Sequence, residues 1–135
     1  MGQQQLLLII LGVIVVGIAV AVGITMFTDN AVSANKDAVT NDLVNLASRA
    51  QQFYRRPTAL GGGEGSFALI TANAAGLARL TSKGTNSNGT YSIQTAGTAT
   101  SVVLKGLGTE KGTDGNPLDV RMTVFSDSTA VAFQN

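Results

Sequence analysis

Residues 6–27 read LLLIILGVIVVGIAVAVGITMF, and this apolar run decides the architecture of the whole chain. As a helix with a rise of ~1.5 Å per residue, it covers roughly 33 Å, about the hydrocarbon thickness of a bilayer. No charged side chain precedes Asp29. A cleaved secretory signal is disfavoured because it would carry a basic leading region, and the remaining sequence has too little apolar surface to enclose a helix that is apolar on every side. The run therefore predicts a helix that lies in a membrane or is covered by other subunits.

The composition excludes several classes of protein. The chain has 135 residues with a net charge of +1, and its basic residues are scattered, so no specific nucleic-acid partner is predicted. It contains no cysteine and no histidine, which removes thiolate nucleophiles, imidazole bases and the usual zinc sites. No two of its eight carboxylates show the spacing of a general acid and base pair. We therefore predict no enzyme activity, no cofactor, and neither catalytic nor metal-binding residues.

The sequence that follows the apolar run keeps its helical potential but becomes amphipathic. Residues 28–56 contain neither proline nor glycine, and Pro57 disfavours helical geometry at Arg56. We expect one continuous helix from about Gln3 to Arg55, near 80 Å long, or a second helix capped by residues 28–30. The apolar residues of this half follow helical steps of three, four and seven and form one stripe: Val32, Val39, Leu43, Leu46, Ala50 and Phe53.

The last half of the sequence predicts loops and short strands. GGGEG at 61–65 is typical of a flexible linker whose backbone takes left-handed or extended conformations at little steric cost. A short helix is expected at about 73–80, and the glycine-rich stretch 106–117 is expected to be a loop. The expected strands are punctuated by turns: 91–97, 99–104, 118–126 and 129–134.

Three or four antiparallel strands need a cover on their apolar face, and the helical stripe provides one. The predicted fold class is α+β, in which a long N-terminal α-helix with an apolar half and an amphipathic half packs on a small antiparallel sheet. The expected divisions are an apolar membrane or filament-core helix at 1–28, the amphipathic half at 29–56, and a loop plus a C-terminal β head at 57–135.

This order of elements resembles that of a mature type IV pilin. The local match is closest in GQQQLLLIILGVIVVG at 2–17, and the architecture extends the resemblance over the chain. The resemblance implies a homo-polymer of identical subunits, cut by a prepilin peptidase and assembled from the inner or cytoplasmic membrane by pilus assembly machinery with a separate ATP-driven motor. The product would be an extracellular cell-surface filament that serves adhesion, motility or DNA uptake.

The resemblance also implies which residues mediate assembly. Gln5 stands where the family usually has a glutamate that pairs with the terminal amine of a neighbouring subunit; its amide can accept a hydrogen bond but carries no charge. The family's helix proline is missing near Val22, and the family's C-terminal disulfide is impossible, so filament packing or the 106–117 loop must secure that end. The implied assembly residues are Met1, with a free or methylated amine, Gln5, Leu6, Leu7, Leu8, Ile9, Ile10, Gly12, Gly17 and Gly23.

Other interpretations stay open at this stage. A pseudopilin or an archaeal-type pilin would share the same N-terminus. A single-pass membrane-anchored binding module belongs to another class and would leave the helical extension without a clear purpose. Asn88 begins an Asn-Gly-Thr sequon, which indicates either a glycosylation site or a plain turn.

Overall fold

The computed structural model describes residues 2–135, and its strands form one antiparallel sheet in the order β1-β2-β3-β4. The elements are α1 (Gly2–Arg55), a 3-10 turn (Thr58–Leu60), α2 (Ala74–Ala78), β1 (Gly89–Thr95), β2 (Ser101–Lys111), β3 (Pro117–Phe125) and β4 (Thr129–Phe133). Each strand pairs with its neighbour in sequence, because short turns favour antiparallel meanders. The predicted α+β class, with a long helix on an antiparallel sheet, is confirmed with four strands.

Helix α1 is continuous over 54 residues, about 80 Å, with no separate cap at 28–30. Its C-terminal half packs on β2 and β3. The predicted stripe is confirmed from Val39 onward, whereas Val32 is only half-buried near the edge of the head. Ala47 joins the stripe because it lies four residues beyond Leu43. The buried residues of α1 are Val39, Leu43, Leu46, Ala47, Ala50 and Phe53.

The glycine-rich segment 61–65 lies outside helices and strands, as predicted for a linker, but it is hydrogen-bonded to the end of α1. The amide of Gly63 donates to the carbonyl of Phe53 at 2.8 Å, and that of Gly65 donates to the carbonyl of Tyr54 at 2.7 Å. Gly65 has φ +85°, so the expected left-handed backbone is confirmed. The physical reason is that the last carbonyls of a helix have no partner inside it and need donors from the following chain.

The expected loop at 106–117 is confirmed only for residues 112–116, and its first part was wrong, because β2 runs on to Lys111. Gly106 and Gly108 lie inside this strand and face α1. A Cβ atom at Gly106 would lie 2.7 Å from Cγ1 of Val39, and one at Gly108 would overlap the side chain of Asn35. These glycines therefore let the helix approach the sheet closely instead of turning the chain.

A methyl group at Gly106 is expected to destabilise the head. Glycine in a strand normally weakens that strand, so Gly106→Ala would be mildly stabilising if the added methyl group met no other atoms. Here the new methyl meets Val39 at 2.7 Å and the Tyr91 ring at 3.1 Å. We expect a loss of about 1–3 kcal/mol in the free energy of unfolding, measured by urea titration of the full chain in detergent. Thr109→Ala, at an exposed position of the same strand, is the control, and equal stability of the two variants would contradict the close approach.

Strand β3 confirms the alternation predicted for 118–126. Leu118, Val120, Met122 and Val124 are all fully buried. In β4, Phe133 pairs with Val120 and Val131 pairs with Met122, so these residues share the helix-facing side of the sheet. They are nevertheless 50% and 41% exposed, because β4 lies beyond the cover that α1 gives to β2 and β3.

The residues after β4 are held in place by the side chain of Asn135. The Asn135 Oδ1 atom accepts a hydrogen bond from the amide of Asp119 at 2.9 Å. Its Nδ2 atom donates to the Asp114 carboxylate at 2.8 Å and to the Pro117 carbonyl at 3.1 Å. Asn135 thus ties the residues after β4 to the turn between β2 and β3, within the stretch expected to secure this end.

Candidate assembly surface

The N-terminal half of α1 extends out of the head, and every described residue up to Asn30 is exposed. Sixteen large apolar side chains between Leu6 and Phe27 have exposed fractions from 52% to 78%. They surround the helix instead of forming one stripe. Soluble monomers rarely expose apolar patches beyond a few hundred Å². This half of the helix therefore requires a cover of lipid or of other protein.

The apolar half meets the physical requirements of a membrane span. It contains an 18-residue window with a mean hydropathy of 3.2, of which no part is buried against the head. All its backbone groups can be satisfied within the helix, as hydrocarbon demands. The segment is compatible with membrane association.

The predicted assembly residues lie on this bare half, except that Met1 lies outside the described residues. Gln5 and the apolar residues 6–10 occupy the first turns of α1 and are exposed. Within the described chain, nothing lies within 4 Å of the Cβ positions of Gly12, Gly17 and Gly23. The fold of the subunit therefore does not need these glycines, whereas close packing against other helices would use them.

Two threonines, Thr25 and Thr28, lie at the C-terminal end of the apolar surface. The sequence interpretation had considered Thr28 only as part of a possible helix cap and had not singled out Thr25. The Thr25 hydroxyl donates to the carbonyl of Ala21 at 3.0 Å, and the Thr28 hydroxyl donates to that of Ile24 at 3.0 Å. Because each hydroxyl proton is used within the helix, the oxygen atoms are left as acceptors.

A polar cluster centred on Asp42 joins α1 to the start of β1. One oxygen of its carboxylate accepts hydrogen bonds from the Tyr91 hydroxyl and from the side-chain amides of Asn86 and Asn88, each amide at 2.9 Å. Partial burial raises the pKa of the Asp42 carboxyl, but these three donors outweigh it and hold the pKa below its ordinary value. Burial first, and the neighbouring carboxylate second, raise the pKa of Tyr91 well above its usual range.

This cluster makes the stability of the head sensitive to alkali. Tyr91 keeps its proton in the folded chain above the pH at which the unfolded chain releases it, about 10. Its contribution is therefore complete below about pH 10 and is lost as the pH rises further. We expect the urea midpoint of the full chain in detergent to fall as the pH rises above about 10, and to fall less steeply in Tyr91→Phe, which retains the other tyrosine. If the urea midpoint depended on pH equally steeply in the wild type and in Tyr91→Phe, this role of Tyr91 would be contradicted.

The side chain of Asn88 belongs to this cluster. In addition to the bond from its side chain to Asp42, the backbone carbonyl of Asn88 accepts a hydrogen bond from the side-chain amide of Asn35 at 2.9 Å. The backbone N–H of Asn88 donates to the side-chain oxygen of Asn86 at 2.9 Å. The predicted turn is confirmed at Asn88, but it is centred on Ser87 and Asn88, and Gly89 is already the first residue of β1. Glycosylation of Asn88 stays a prediction. Beside the cluster, Arg49 and Lys83 line an open polar groove of about 170 Å³.

Comparison with protein-family models, with curated proteins and with solved structures gave no match in any of the three.

Proposed function

We propose that this chain is a structural subunit that polymerises into an extracellular, type IV pilus-like helical filament through its apolar N-terminal helix. The observation that carries the proposal is the division of a single helix. Residues 39–53 of α1 form the core of the head, whereas residues 6–27 of the same helix are bare on every side. One rigid element therefore joins a water-soluble head to a segment that must be covered by something else.

The energetics favour a polymer once the subunit leaves the bilayer. Burying a large apolar side chain contributes about 1.5–3 kcal/mol, so sixteen of them amount to tens of kcal/mol for each subunit. Lipid supplies this cover before assembly. Away from lipid, the helices of other subunits supply it when they pack together in parallel, with the open glycines allowing close approach.

The chemistry of the head suits an outer shell. The side of the sheet that faces away from α1 carries Asp119, which pairs with Arg121 at 3.1 Å and with Lys105 at 3.6 Å. Charged pairs of this kind remain hydrated at a surface. Helices at the centre and heads facing water would satisfy both parts of the subunit.

The resemblance to type IV pilins supplies the assembly route of this proposal: a prepilin peptidase, insertion in the inner membrane, and extraction by dedicated machinery. A pseudopilin or an archaeal-type pilin would use the same surface. Adhesion and motility would be properties of the finished filament.

Cryo-electron microscopy of filaments sheared from cells that express this chain tests the proposal. We expect a thin filament whose repeating unit fits residues 2–135, with the apolar helices at its centre. If the chain is recovered only as a monomer or small oligomer in the membrane fraction, the proposal fails. That result would favour a membrane-anchored binding module, for which the groove beside Asp42 is the first place to seek a ligand.

A further inference from the structure

We propose that the Gln5 amide of one subunit donates a hydrogen bond to the hydroxyl oxygen of Thr25 or Thr28 in a directly packed second copy. This contact sets the axial offset between the two helices at about 30–34 Å, because 20 or 23 residues separate these positions at ~1.5 Å each. The inference rests on the proposed filament and specifies its register.

The first support is the scarcity of polar groups on the assembly surface. Between residues 3 and 28, all side chains are apolar or glycine except those of Gln3, Gln4, Gln5, Thr25 and Thr28. A primary amide that is buried without a partner is costly, so buried amides are almost always hydrogen-bonded. Up to residue 28, a neighbouring helix offers such a partner at two levels, near its own glutamines or near its threonines, and Asp29 and Asn30 follow directly after Thr28.

The second support is the match between donors and acceptors. The Thr25 and Thr28 hydroxyl protons are already donated to the carbonyls of Ala21 and Ile24, both at 3.0 Å. Their oxygen atoms can therefore only accept, and the Gln5 side chain supplies two N–H donors. The threonines are three residues apart, so they lie on the same side of α1 and present both acceptors to one neighbour.

The width of the head bears on the alternative in which glutamines meet glutamines. That arrangement needs an offset of only a few Å between packed helices. Directly packed helices are about 8–10 Å apart, whereas four strands spaced ~4.8 Å apart span about 14 Å before side chains are added. Two heads at the same level on neighbouring helices must therefore point in different directions, whereas an axial offset lets the heads lie at different levels.

The length of the head agrees with the offset. Hydrogen bonds join the head to α1 from Asn35, which bonds to Asn88 and Glu110, to Tyr54, which bonds to Gly65. These 20 residues correspond to about 30 Å of helix. An offset of about 30–34 Å is thus comparable to the length of α1 that is hydrogen-bonded to its own head.

Helical reconstruction of the wild-type filament tests this register directly. We expect Gln5 Nε2 within hydrogen-bond distance of Thr25 or Thr28 Oγ1 of a contacting copy. A filament in which Gln5 meets any other group, or in which no pair of contacting helices is offset by about 30–34 Å, would overturn the inference while leaving the proposed function intact. Absence of any filament would instead overturn the proposed function.

A pair of double variants provides the second test. Thr25→Val with Thr28→Val keeps the shape of both side chains but removes the acceptors, and we expect about tenfold less chain in the sheared-filament fraction relative to the membrane fraction. Thr25→Ser with Thr28→Ser keeps the acceptors and should assemble nearly as well as the wild type. Equal assembly of the two double variants would contradict the contact.

Discussion

A Val16→Asp substitution is expected to abolish filaments. Val16 lies near the middle of the apolar run and is 61% exposed on the isolated subunit. An aspartate at the centre of a membrane helix costs about 2.5–3.5 kcal/mol on insertion scales, which alone corresponds to a loss of roughly a hundredfold. In the filament core, the carboxylate would also lack a partner, since no cationic side chain occurs before Lys36. Quantitative immunoblots of sheared material, with negative-stain microscopy, measure the effect.

Val44→Asp is the matched control for this experiment. Val44 lies on the same helix, is 49% exposed, and is placed within the head instead of on the bare half. The same substitution there puts a carboxylate among polar residues of α1, with Asn41 and Ser48 one turn away on either side, and should leave most of the filament yield. If Val16→Asp assembled as well as Val44→Asp, the apolar half could not be the assembly surface.

The sequence was sufficient to predict the long helix and its division into an apolar half and an amphipathic half, because both features depend on local pattern. An unbroken apolar run and a stripe with helical spacing are visible without any knowledge of the fold, and the buried positions from Val39 to Phe53 follow that spacing. The alternation at Leu118, Val120, Met122 and Val124 predicted the buried face of β3 in the same way.

The features that the sequence did not predict depend on contacts between distant segments. Gly106 and Gly108 were assigned to a loop because glycine most often marks turns, and only the approach of α1 to β2 explains their place in a strand. The Asp42 cluster joins residues more than 40 positions apart in the sequence, so no local pattern predicts it. The acceptor role of Thr25 and Thr28 likewise became apparent only from their bonds within the helix.

A Leu43→Ala substitution is expected to remove much of the stability of the head. Leu43 is fully buried in the core cluster that includes Leu104 and Met122. Truncating a buried leucine costs about 2–5 kcal/mol, because apolar burial is lost and a cavity remains. Domains of this size have only about 5–15 kcal/mol in total. Urea unfolding of the full chain in detergent, followed by the near-ultraviolet circular dichroism of the tyrosines, measures the loss.

Val44→Ala is the control for the core, because Val44 is the next residue of α1 and is half exposed. It should change the free energy of unfolding by about 0.5 kcal/mol or less. The two positions also separate the roles of the two halves of α1. Leu43→Ala should lower the filament yield only in proportion to the fraction of heads that unfold, so growth of the cells at a lower temperature should restore its assembly. Val16→Asp should fail to assemble at every growth temperature. Loss of filaments in Leu43→Ala with a fully folded head would contradict this division, since it would place the buried stripe in the assembly contact itself.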